Sequence, residues 1–244
     1  MLYRCIQCEN QKLRHSVIWS ACILIPVIPA IMGTFNYLQN LELLKDGWYS
    51  LWTQLSLFYA SIFYAPLIAL YASYLWRLEH LNHNWNQIMT APVPVPDLFW
   101  GKLTVIFQVT FLTQIWLGLL FFLCGKLSGL PGFPPAEILL WLARGTLAAA
   151  AVGALQLFLS MVIRSFAVPI GIALCGSLLG FAFTAKGLGM YWPYSLMTLG
   201  MNSNRSEDLL SSTLAPFLLT LALFFLLFAG AGILYLKKAD IQTR

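Results

Sequence analysis

Six apolar runs, at about 16–35, 55–76, 103–124, 136–163, 166–185 and 211–236, constrain this chain more than any other feature of it. Each is near the roughly 20 residues a helix needs to cross the hydrocarbon core of a bilayer. The runs are long and continuous, so they do not read as the short alternating segments of a β-barrel. In lipid the backbone must satisfy its own hydrogen bonds, which leaves helices as the spanning element. An ordinary soluble domain carries about 25% charged residues, whereas only 9% of these 244 residues are charged and 59% are hydrophobic. The expectation is a single all-α integral membrane domain, residues 1–244, with six transmembrane helices. The basic stretch 1–15 precedes a run too long for a signal peptide, so it reads as an interfacial segment before an uncleaved first span. Pro26 and Pro29 should kink that span.

Charge orients the bundle. An even number of spans puts both termini on one side. That side would hold Arg4, Lys12, Arg14, Arg77, Lys102, Arg164, Lys237, Lys238 and Arg244, nine cations, against Lys45, Lys126, Lys186 and Arg205, four, on the other. Basic residues accumulate on the cytoplasmic side of short loops, so both termini are expected in the cytoplasm. The net charge of +5 is spread over span ends rather than gathered in one patch, which speaks for topology and against nucleic acid as a partner. Segment 186–210 then becomes an external loop. Trp48, Tyr49 and Trp52 suit an aromatic belt at the membrane surface.

Between the second and third runs lies a polar island, 77–102. Over 77–89, Leu78, Leu81, Trp85, Ile88 and Met89 recur at helical spacing, with Glu79, His80, His83, Asn84 and Gln87 opposite them. That pattern predicts an amphipathic helix. Pro92, Pro94 and Pro96 end it, because proline removes an amide donor and restricts the residue before it. A stiffly tethered surface helix can be pushed by something in water; an ordinary interfacial loop is the plainer alternative.

Little else carries chemistry. Gly101-Lys102 and Gly125-Lys126 lack the following Ser or Thr and the upstream glycine of a phosphate-binding loop, so any ATPase must be another chain. His80 and His83 are spaced for a shared metal, but no third ligand stands ready and no metal is expected. Cys5 and Cys8 form a CxxC pair without two further ligands, and two reduced thiols are the simpler reading. Membrane enzymes need acids or histidines clustered within the spans, and none cluster here. Arg144 lies about two turns inside the fourth run. It is open to a substrate role, to snorkelling or to pairing with Glu137. Gln108, Gln114 and Gln156 either line a path or bond neighbouring helices. Gly176 and Gly180 make a GxxxG step that permits close approach within the chain or between two chains.

The polar island resembles a known family. Glu79 to Asn86 is similar to the acid, polar run and tryptophan that follow the second span of type-2 ABC exporter permeases, in the branch that includes lantibiotic and bacteriocin self-protection permeases. Thr90 to Pro94, and Trp100-Gly101-Lys102 opening the third span, are similar to that branch's turn. Tyr191 to Ser195 has a counterpart there too. The resemblance implies a coupling helix between spans 2 and 3, with Glu79, His80, His83 and Trp85 as its contacts to the ATPase and Pro92 to Lys102 as the stiff link. It also implies a cytoplasmic ABC ATPase dimer that binds ATP and Mg, no cofactor on this chain, and a second permease, identical or related. The implied setting is the bacterial plasma membrane, with lipid around the chain. The implied substrate is a cationic, amphipathic antimicrobial peptide. An ABC permease for a lipid or another non-peptide substrate, and an ion-coupled carrier, are the alternatives. A carrier would show internal repeats, which the two halves do not.

Overall fold

The computed structural model describes residues 1–80, 92–205 and 207–238. Within them every regular element is helical and six helices are long and apolar enough to cross a membrane: Ile18–Gln39, Trp48–His80, Val95–Leu127, Glu137–Val162, Ala167–Ala185 and Leu214–Lys238. A short amphipathic helix, α1 (Leu2–Leu13), precedes them. Most of segment 77–89 falls at 81–91, outside the described residues.

The first span is two helices, α2 (Ile18–Leu24) and α3 (Val27–Gln39), separated at Ile25-Pro26. Pro26 sits at the N-cap of α3, where its missing amide costs least; Pro29 is absorbed within α3 without a break. The second span is far longer than 55–76. It consists of α4 (Trp48–Phe58), a π-turn over Tyr59–Phe63, and α5 (Tyr64–His80). The wide turn has a cause in Pro66, which cannot donate to the Ile62 carbonyl and crowds it. Together α4 and α5 run for about 50 Å, more than the roughly 30 Å of hydrocarbon. The third span, α6 (Val95–Leu127), is as long. Its first turn begins beyond Pro94, with Pro96 near the first helical position, where proline is favoured. The polar island therefore contributes helix at both of its ends. The fourth and fifth spans are α7 (Glu137–Val162) and α8 (Ala167–Ala185), and the sixth is α10 (Leu214–Lys238).

The core sits around α5 and α7. Trp52, Tyr59, Tyr64, Tyr71, Trp76 and Trp141 are all fully enclosed there. Trp48 and Trp52 are not a surface belt. Both are buried, Trp52 edge-on to Phe121 and tilted against Trp141. Their indole N–H groups donate to the carbonyls of Pro131 and Met201 at 2.8 Å each. A buried indole needs such a partner. Close packing of α3 on α4 depends on Gly33, where a Cβ would run into the backbone of Leu55.

Segment 186–210 is not spread over the surface either. It folds back into the bundle as a 3-10 turn (Gly189–Tyr191) and a short helix, α9 (Ser195–Gly200), whose residues are all buried. The Met201 carbonyl accepts from Trp52, and the Ser203 hydroxyl donates to the Ser56 carbonyl at 3.3 Å. This plug lies among α7, α8 and the π-turn. Its polar backbone is tolerable at that depth because protein, not lipid, surrounds it.

Candidate functional site

On α1, Cys5, Glu9, Lys12 and Leu13 recur at helical spacing and share a face. That face lies on the start of α6. Gly101 makes the approach close: a Cβ there would stand 3.0 Å from that of Cys5. The contact lowers Glu9 onto Lys102 of α6, beside Glu79 in the last turn of α5. Glu9, Glu79 and Lys102 are 2%, 3% and 0% exposed.

Lys102 uses its three donors fully. Its Nζ reaches Glu79 Oε1 at 2.7 Å, Glu9 Oε2 at 2.9 Å and the Leu75 carbonyl at 3.3 Å. It also lies 5.0 Å from the centre of the Trp76 ring. Lys12 closes the cluster from the rim, its side chain 33% exposed, at 2.7 Å from Glu9 Oε1 and 2.5 Å from Glu79 Oε1. Two carboxylates face two ammonium groups, −2 against +2, so the cluster is neutral. Burial lowers the pKa of Lys12, but the Glu9 charge and hydrogen bonds to both carboxylates outweigh it and leave the pKa raised. Beside the cluster, burial followed by the charge of Asp97 raises the Cys5 thiol. That makes Cys5 a poor nucleophile and metal ligand.

Charges this deeply buried are costly unless each is paired. Here pairing requires α1, α5 and α6 to keep their places together, so the cluster is a three-way clamp. Segment 81–91 leaves α5 directly beyond it and returns just before α6. Arg77 extends the connection, its guanidinium 5.3 Å over the Phe166 ring at the start of α8.

The resemblance implied Glu79 as a contact to an ATPase and Lys102 as the end of the stiff link into the third span. The structure turns both side chains inward, 3% and 0% exposed, where ion pairs with Lys12 and Glu9 offset the cost of taking the charges out of water. His80 is half-buried within hydrogen-bonding reach of the Ser160 backbone, and Pro92 is exposed. His83 and Trp85 lie outside the described residues. Sequence reasoning missed Glu9 and Lys12. The signal was an acid three residues from a lysine, on the face of an amphipathic helix otherwise free of acids.

The other singled-out residues fall elsewhere. Arg144 pairs not with Glu137 but with Asp208, its Nη1 at 2.8 Å from both carboxylate oxygens. Glu137 accepts instead from the Tyr49 hydroxyl at 3.1 Å. The Arg144–Asp208 bridge ties α7 to the chain that follows the plug. The Gln114 amide points at the Leu142 carbonyl, 3.5 Å away, and at Met201. Gln156 donates to the Tyr194 hydroxyl at 2.7 Å. These two glutamines bond neighbouring segments, whereas Gln108 is on the exposed side of α6. Gly176 and Gly180 admit the plug: a Cβ on Gly176 would stand 2.5 Å from the Tyr194 ring, and one on Gly180 would stand 2.9 Å from the Ser195 amide nitrogen. The Trp192 indole donates to the Gly176 carbonyl at 2.8 Å. The close approach they permit is thus within the chain, and the reading of a contact between two chains is replaced.

The profile of the family described as "ABC-2 family transporter protein" matches residues 5–180, a stretch that takes in most of α1, the clamp, the first four spans and most of the fifth. No curated protein and no solved structure matches the chain.

Proposed function

Because the chain belongs to the ABC-2 family of transporter proteins, and is a membrane permease of an ABC transporter, we propose that it works as an exporter driven by a separate cytoplasmic ATPase through segment 81–91. The observation that carries this reading is the clamp. Nucleotide-driven closure of an ATPase pair would push on 81–91. The quartet of Glu9, Lys12, Glu79 and Lys102 would pass that displacement to spans 2 and 3 and to α1 together. Rigid transmission of this kind needs a stiff, bistable element rather than a flexible tether. In this reading Glu79 and Lys102 hold the coupling segment in place, while His80, His83, Trp85 and Pro92 are nearer the partner.

The substrate is an amphipathic molecule moved out of the membrane. The resemblance of residues 79–86, 90–94 and 191–195 to the self-protection permeases supports a cationic antimicrobial peptide. A second permease, identical or related, completes the assembly.

The test is co-purification with an ABC ATPase from the same cell, followed by ATP-driven transport in vesicles. Trp85→Ala should weaken binding of the ATPase. Lys102→Met should leave the ATPase bound but lower transport at least tenfold. If both variants retain the whole complex and full transport, the coupling assignment fails.

A further inference from the structure

The outward faces of α6 and α7 enclose a groove of about 530 Å³, within the size range of ligand sites. Phe111, Ile115, Leu119 and Phe122 of α6 form one wall, and Leu139 and Leu142 of α7 form the other. Gly118 leaves its floor low, the nearest side-chain atom to a Cβ there being Leu142 Cδ1 at 3.2 Å. Gln114 and Thr146 also line it. The Thr146 hydroxyl is turned onto the Leu142 carbonyl at 2.9 Å and the Gln114 amide leans toward the same oxygen. The lining is otherwise apolar and runs along the helices from Phe122 to Phe111, about 16 Å.

One cation stands at the mouth. Lys126 is exposed, its Nζ held 5.7 Å from the Trp48 and Phe122 rings and 5.5 Å from the Phe133 ring, and it donates to the Gly132 carbonyl. Phe122 and Phe133 also line the groove, so the ammonium and the apolar channel share walls. Depth fixes what this arrangement suits. Lys126 lies 24 residues beyond Lys102 on the same helix, about 36 Å along its axis, just more than the roughly 30 Å of hydrocarbon. The two lysines thus bracket the apolar layer, and Lys126 stands at headgroup level. The groove descends from it for about half the layer.

We propose that this groove is a binding site for an anionic phospholipid of the leaflet remote from the clamp. One acyl chain lies between α6 and α7, and the phosphate is paired with Lys126. A basic residue at headgroup depth beside an interhelical cleft is a physical basis for such selection. Position, charge and length agree on a lipid whose single negative group sits at one end of an apolar body; a cationic molecule would be repelled at the mouth.

The test uses the intact chain in vesicles of phosphatidylcholine doped with a photoactivatable lipid bearing a diazirine in its acyl chain. Adducts are located by mass spectrometry. With a phosphatidylglycerol probe, labelling of 111–122 and 138–146 should exceed that of the lipid-facing side of α10 (Leu219, Leu223, Leu226) at least fivefold. A phosphatidylcholine probe, or Lys126→Gln with the phosphatidylglycerol probe, should bring the ratio near one. Gly118→Leu, which fills the floor, should reduce groove labelling with either headgroup. Lys126 is exposed, so the Lys126→Gln arm stands even if Gly118→Leu fails to fold. Equal labelling of groove and α10, or a groove preference indifferent to headgroup and to Lys126, would overturn the proposal. No ATPase and no transport enter the experiment, so its failure leaves the exporter reading where it stood.

Discussion

Lys102 shows how a single buried charge can be safe only in company. Its three hydrogen bonds and two carboxylate partners leave nothing unpaired. Lys102→Met would leave two buried carboxylates facing Lys12 alone. Breaking a buried pair by removing one partner costs about 3–5 kcal/mol, and a thermal-unfolding midpoint in detergent should fall accordingly. Adding Glu79→Gln restores neutrality, one carboxylate against one ammonium. The double variant should therefore be more stable than Lys102→Met plus Glu79→Gln taken additively. Strict additivity would show that the quartet is not a unit. The raised pKa of Lys12 has its own signature. Its ammonium is already charged in the unfolded chain below the usual value of 10.5, so its stabilisation is whole at neutral pH. It is lost only as pH climbs through the higher folded value. A stability–pH curve should stay level across neutrality and fall in that alkaline range, with a smaller fall in Lys12→Gln.

At the scale of elements, the plug explains the glycines. Gly176→Val should force a branched side chain against the Tyr194 ring. Overpacking of this kind costs about 1–3 kcal/mol, and proteolysis within 189–205 should accelerate. An unchanged digestion pattern would mean that the plug does not depend on that approach. Here the limits of the sequence are physical. A GxxxG step says that something comes close but not what, because any backbone fits where a side chain is missing. Trp48 and Trp52 suit a belt as well as a core until their indole partners, Pro131 and Met201, come from distant segments. The six spans were legible from apolar length alone, whereas the second and third extend into the polar island because helical hydrogen bonding continues where apolarity stops. The clamp was half legible. Glu79 and Lys102 stood out by position, but their inward turn is decided by Glu9, 70 residues before Glu79.

For the whole molecule, the family and the six spans establish a multi-pass permease of the plasma membrane. Its sidedness rests on the charge count. A membrane-impermeant thiol reagent should reach Cys8, which is exposed, only from the cytoplasmic side. It should reach a cysteine placed at Lys186 only from outside, each in a chain otherwise free of cysteine. Reversed labelling would invert the topology and move segment 81–91 out of reach of an ATPase. In the proposed function, ATP hydrolysis on a partner chain drives export through the clamp. It is measured as efflux of a fluorescent cationic amphipathic peptide from sealed vesicles holding this chain with its co-purified ABC ATPase. Efflux should require ATP and the ATPase, be indifferent to proton and sodium gradients, and fall at least tenfold in Lys102→Met while the ATPase remains bound. Efflux driven by an ion gradient with no ATPase present would overturn the exporter reading.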